Sequence, residues 1–181
     1  MKHLTPTKKL AVIAMLVAQA SVLHFLESLL PNPIPIPGVK LGLANIITLL
    51  ALVIFDFKTA MQITVLRTIL GSLLSGTLFG VGFFMSFSGA VSATCLMALL
   101  LYACSGFSLL GISVAGAVAH NLGQLSIAAL ILHFPGIIYY LPFMLLFSVP
   151  TGIITGLLVK ELVAHTKAMN RFETFFQDPS V

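Results

Sequence analysis

Charge is what this sequence has least of. Lysine, arginine, aspartate and glutamate make up 8% of its 181 residues, where an ordinary soluble domain carries about 25%. So few charges cannot clothe a globule that faces water, and 59% of the chain is apolar. The solvent that fits is lipid, in which a spanning helix takes roughly 20 mostly apolar residues. The chain reads as an all-α integral membrane protein with the bilayer around it.

The shortage of acids excludes chemistry as well. The five acidic residues are Glu27, Asp56, Glu161, Glu173 and Asp178. They form no aspartate pair or Asp-rich motif that could hold magnesium against a diphosphate. No phosphate-cradling Gly-x-x-x-x-Gly-Lys loop occurs, and no G-x-S-x-G or H-E-x-x-H. The chain is therefore expected not to be an enzyme, and to carry neither metal nor cofactor. Cysteine is scarce too. Cys95 and Cys104 are nine positions apart in one predicted helix, roughly 13 Å, beyond disulfide reach, and read as packing residues. The formal charge is +4, but the basic residues are not interleaved with aromatics on one face. They sit at the chain ends and in a short loop, so nucleic acid is not an expected partner.

What is abundant is hydropathy, and it divides the chain into six spans: about 10–30, 41–55, 59–79, 81–103, 107–132 and 137–159. All belong to one membrane domain, and residues 160–181 form a short tail. Lysine and arginine set the orientation. Lys2, Lys8, Lys9, Lys58, Lys160, Lys167 and Arg171 all fall inside if both termini are cytoplasmic, whereas Lys40 falls outside and Arg67 within a span. That bias is self-consistent for an even number of helices. The first span also imitates a signal peptide, with Ala18-Gln19-Ala20 as a small-residue cleavage site. Its apolar character continues to Leu30, longer than such a segment needs, so it is expected to stay.

Polar side chains in hydrocarbon are expensive and need a partner or a wet cavity. Here they are Gln19, His24, Glu27, Asn45, Gln62, Arg67, His120, Asn121 and Gln124. His24 and Glu27 are three apart and share a helix face near the outer surface. Asn45 opens the second span from that side. Arg67 lies about 18 Å deep if its helix ends at Phe79, a long reach for snorkelling, and is expected to face a polar cavity or an anionic group. His120 and Gln124 share a face near mid-membrane. Gln19 and Gln62 are expected to be interhelical glue. Small-residue pairs for close helix packing are Ala14 and Ala18, Gly76 and Gly80, Gly111 with Ala115 and Ala119, and Gly152 and Gly156.

One segment departs from hydropathy altogether. In PNPIPIPGVKLGLANI, residues 31–46, proline excludes helix and favours a stiff extended strip. Ile34 and Ile36 give the strip an apolar side, so 31–38 is expected to cap the outer mouths of the helices.

Two stretches carry a family likeness. PIPGVKLGLANIITLLAL and AHNLGQL resemble the Gx transporter family, also labelled heptaprenyl diphosphate synthase component I, over roughly 10–160. That family is similar to the S components of energy-coupling factor transporters. Those are six-helix proteins that capture a vitamin-like molecule outside and associate with a shared transmembrane subunit and two ATPases. The run from Val39 to Ile46 looks like the matching segment of riboflavin-binding S components. There an aspartate usually stands where this chain has Gly42, and another where it has Asn45, so a flavin ligand does not carry over directly. Ala14 and Ala18 resemble the Ala-x-x-x-Ala motif with which S components dock on the shared subunit.

The resemblance implies a six-helix S-component-like bundle in a bacterial-type cell membrane. It would bind a flavin-like or isoprenoid-related small molecule through Glu27, Lys40, Asn45, Arg67, His120, Asn121 and Gln124. An energy-coupling transmembrane subunit and ATPases would be the partners. Arg67 and Lys40 suit a carboxylate or phosphate. A second hypothesis is a non-catalytic membrane accessory of isoprenoid or quinone biosynthesis. A third is a self-contained proton-coupled carrier, for which only Glu27 could relay protons.

Overall fold

The computed structural model describes residues 6–29, 42–104 and 106–177. Lys2, Lys40 and the 31–38 cap lie outside the described residues. Among the described residues the chain is all-helical: α1 (Pro6–Leu29), α2 (Asn45–Ile54), α3 (Phe57–Leu74), α4 (Val81–Ala103), α5 (Leu109–Leu132), a 3-10 turn (Pro135–Tyr140) and α6 (Leu141–Gln177). Apolar segments over 7–29, 81–103, 109–132 and 136–165 are each long enough to cross a bilayer. In hydrocarbon only helices or closed barrels satisfy every backbone polar group, which is why such segments fold this way. The chain is a multi-pass membrane protein.

The helices are punctuated by chemistry the sequence supplies. Asp56 caps α3, accepting from the Thr59 backbone N–H at 2.8 Å, and Ser108 caps α5 through Gly111 N–H at 3.1 Å. Gly80 starts α4. Gly76 and Gly80 belong to the turn between α3 and α4 rather than to a helix interface: Gly76 has φ +66° and open space where a side chain would sit.

The middle of the bundle is α2. It touches each of the other five helices, while α1 packs on α3, α3 on α4, α4 on α5 and α5 on α6. At ten residues it is about 15 Å long, half a hydrocarbon core. Hydropathy begins this span near residue 41, but helix begins only at Asn45, after a turn at Gly42–Ala44. Its second half, with Leu49, Ala51 and Leu52 at 0–1% exposure, joins a core that includes Leu16, Val17, Met97 and Val159.

Glycine lets the helices on the α5 side approach closely. A methyl group at Gly152 or Gly156 would come within 2.8 Å of Val114 Cα or Leu110 Cα on α5. Gly123 of α5 lies equally tight against Ser88 and Gly89 of α4. Both cysteines are exposed, and Cys104 terminates α4 rather than lying within it. Gln19 and Gln62 also face outward, so neither acts as glue between helices of this chain.

Candidate functional site

Polar side chains gather where α1 ends and α2 begins. Glu27, in the last turn of α1, is 5% exposed. Its Oε1 accepts from the backbone N–H of Gly42 and, at 3.3 Å, from that of Leu43. Those amides precede the helix start and have no helical acceptor, so a carboxylate from another helix holds the turn that leads into α2. Gly42 adopts φ +86°, a left-handed conformation that glycine takes without penalty. It is also a point of close approach. A β-carbon there would lie 2.9 Å from Asn45 Nδ2 and 3.6 Å from the His120 ring.

Asn45, the first residue of α2, accepts at Oδ1 from Arg67 Nη2 at 3.1 Å. Arg67 comes from α3 and is 2% exposed. Because α3 ends at Leu74 rather than near Phe79, Arg67 is about 10 Å from that end of its helix. A charged residue at mid-membrane costs about 3 kcal/mol on insertion scales, and the Asn45 bond offsets part of it. Glu27, Asn45 and Arg67 thus form one connected group, with His120 against its glycine turn.

His120 and Gln124 lie one turn apart on α5, Gln124 Nε2 to His120 Nε2 at 2.8 Å. They press on α4 at Gly89, where a β-carbon would come 3.1 Å from His120 Nε2. Asn121 points elsewhere, donating from Nδ2 to the Met144 carbonyl of α6 at 3.0 Å. It ties α5 to α6 and does not join the cluster. His24 sits over Gly71 of α3, which locks α1 to α3 just below Glu27. Of the sequence-derived candidates, Glu27, Asn45, Arg67, His120 and Gln124 converge, Asn121 diverges, and Lys40 lies outside the described residues.

One feature escaped the sequence reading. Thr48, Thr64 and Thr94, all at 0% exposure, join α2, α3 and α4 through hydroxyl contacts of 3.2 and 3.0 Å. Thr48 is three residues past Asn45 and Thr64 three before Arg67, so the row continues the cluster inward. Threonine is only weakly polar on a hydropathy scale, so three of them in apolar runs give no signal until the helices are docked.

Ala14 and Ala18 face away from the bundle on α1, with Met15, Val22 and Leu26 beside them. A separate cavity of about 530 Å³ lies between the start of α4 and the end of α5, walled by Phe79, Phe84, Phe87, Ile127, Leu130 and Ile131. Among the described residues no group of three or more His, Cys, Asp or Glu gathers.

A lipid-spanning bundle with a buried carboxylate, amide and guanidinium at one end defines a multi-pass membrane protein with a polar interior site. The sequence model of the family described as heptaprenyl diphosphate synthase component I matches residues 16–162. The chain belongs to that family. No curated protein and no solved structure matches it.

Proposed function

We propose that this chain is the substrate-binding membrane subunit of an uptake transporter of the energy-coupling factor type, without catalytic activity of its own. The six α-helices form one bundle in the cell membrane, with α2 a short central member that reaches about half-way through the hydrocarbon. Both termini are cytoplasmic, and the Glu27 end of the bundle faces out. A small vitamin-like or isoprenoid-related molecule enters at that end and contacts Asn45 and Arg67, with His120 and Gln124 beneath. The observation that carries this reading is the buried Glu27–Asn45–Arg67 group. Intramembrane ionisable residues of this kind mark substrate paths, and this group borders the buried Gly42 turn that leads into α2. Ala14 and Ala18, on the open face of α1, are suited to a partner helix that approaches closely, the shared transmembrane subunit whose ATPases drive release.

Native mass spectrometry of the detergent-purified protein tests the site. The wild type is expected to retain a small molecule, which Arg67→Ala and Asn45→Ala lose. If both variants keep it, the pocket is wrongly assigned. Copurification of ATPase subunits tests the transport role. The family description favours a second reading, a non-catalytic membrane accessory of heptaprenyl diphosphate synthesis, and copurification of a prenyl synthase subunit in place of ATPases would establish it.

A further inference from the structure

The cavity between the start of α4 and the end of α5 takes no part in the polar group. Glycine contacts fix how its two helices run. Gly116 seats against Met97, and Gly123 against Ser88 and Gly89, so α4 and α5 are antiparallel and touch closely as far as Ser88. The Ser88 hydroxyl donates to the Gly123 carbonyl at 3.0 Å, which closes the floor of the cavity and occupies its one polar side chain. Beyond that bond the helices part around about 530 Å³. Met85 and Ala128, next in sequence to the lining residues Phe84 and Ile127, are fully buried in a core cluster. Phe84 and Leu130 are 45% and 70% exposed, so the cavity opens away from the bundle interior.

Its depth follows from the same residues. The walls on the two helices run over 81–88 and 127–131, the terminal turns of two apolar segments long enough to cross a bilayer. Just past them Phe134 and Tyr139 are exposed, as in the aromatic belt at a membrane surface. Hydrocarbon is the solvent at that depth, and a void there would leave the walls without contact on one side. A partner helix about 10 Å across fills roughly 800 Å³ over two turns, more than the cavity holds. An extended hydrocarbon chain is thinner and can enter sideways. Phe79 supplies an end wall. It is held at φ +61°, which a bulky residue rarely adopts, with its ring edge-on to Phe83 at 5.7 Å. The described lysines, Lys8, Lys9, Lys58 and Lys160, stand at the opposite end of the bundle. None is at the mouth to select an anionic headgroup.

We propose that this cavity seats one acyl chain of a bilayer phospholipid, held by its tail and not by its head. Lipid is as apolar as the walls, so burial supplies no drive of its own. Close packing against Phe84, Phe87 and Ile131 does. The seat is independent of the Asn45 group and of the transport reading.

The chain has no tryptophan, so a single one reports without background. Phe84→Trp places it in the cavity. Leu99→Trp, on an exposed face of the same helix but outside the cavity, is the control. Each full-length protein is purified in a steroid-based detergent, which has no alkyl chain to compete. It is then titrated with phosphatidylcholine brominated on its acyl chains, which quenches indole on contact. Half-quenching of Phe84→Trp is expected at about one-tenth of the lipid that Leu99→Trp requires. Brominated phosphatidylglycerol should give the same midpoint. Equal midpoints for the two proteins overturn the seat. So does a Phe84→Trp protein that stays unquenched while Leu99→Trp responds, because a second copy or another protein then covers the cavity. A roughly tenfold preference for either headgroup overturns the claim that the tail alone is held. An isoprenoid alcohol that reverses the quenching at lower concentration than unbrominated phosphatidylcholine overturns the choice of an acyl chain. Should Phe84→Trp fail to fold, Leu130→Trp at the cavity rim takes its place, and the same outcomes decide.

Discussion

The two ends of α2 are built by different rules. Its first residue, Asn45, lies in a polar group drawn from three helices: Glu27 of α1 before it, Arg67 of α3 beside it and His120 of α5 against the adjoining turn. Its last turns are sheathed in Leu, Ala, Met and Val from α1, α4 and α6. An apolar sheath inside a bilayer gains from close packing but fixes little about register, because lipid is as apolar as leucine. The polar end fixes geometry and charge at the expense of stability. Stability therefore resides at the Ile54 end of α2, and the proposed binding role falls at its Asn45 end.

Leu49→Ala is the sharpest way to break that division. Leu49 is at 0% exposure in the core, and cutting a buried leucine to alanine costs about 3 kcal/mol. Thermal unfolding should register the loss, while the folded fraction retains its small molecule in native mass spectra. Asn45→Ala should do the opposite, losing one hydrogen bond worth about 1 kcal/mol together with the ligand. If Leu49→Ala also strips the ligand from folded protein, the two ends are not independent.

Much of this was legible in the sequence, but unevenly. Helices α4 and α5 follow hydropathy closely, since a long apolar run in lipid has one way to satisfy its backbone. The convergence of Glu27, Asn45 and Arg67 was also within reach, because few polar residues compete for the same end of the bundle. The roles within that group were not. That Glu27 grips the Gly42 and Leu43 amides depends on where the chain turns, and hydropathy carries a span straight through that turn. The facing of Asn121 failed for a simpler reason: it is one residue from His120, hence about 100° around the helix, and only docking tells which face meets α6. The outward facing of Gln19 and Gln62 is the same lesson in reverse.

The threonine row sits between the two ends and tests where the polar rule stops. Thr64 contacts both Thr48 and Thr94, so Thr64→Val removes two links with little change of shape. Interhelical hydrogen bonds in membranes average about 0.6 kcal/mol each, so a loss near 1 kcal/mol is expected in unfolding measurements, with ligand retention unchanged. A larger loss, or loss of ligand, would extend the outer site inward through α2.

The smallest expected effect lies at the Ile54 end, where α2 hands over to α3 outside the apolar segments. Asp56 accepts from Thr59 N–H and from the Thr59 hydroxyl, and Lys9 approaches to 3.8 Å. The backbone bond from Thr59 is the main cause holding its carboxyl below the ordinary 3.8; desolvation opposes it, and the Thr59 hydroxyl and Lys9 add to the lowering. A carboxyl with a lowered folded pKa contributes stability above its unfolded value and loses it as the pH falls through the folded one. Asp56→Ala should therefore cost about 1 kcal/mol, as for other helix caps, from neutral pH down to about pH 4, with the gap to wild type closing below that. Asp56→Asn keeps a capping oxygen without the charge and should show a smaller loss, with less dependence on acid. A gap for Asp56→Ala that stays constant into strong acid would mean that the cap acts through shape alone, and that charge plays no part at the end of α2 where leucine dominates.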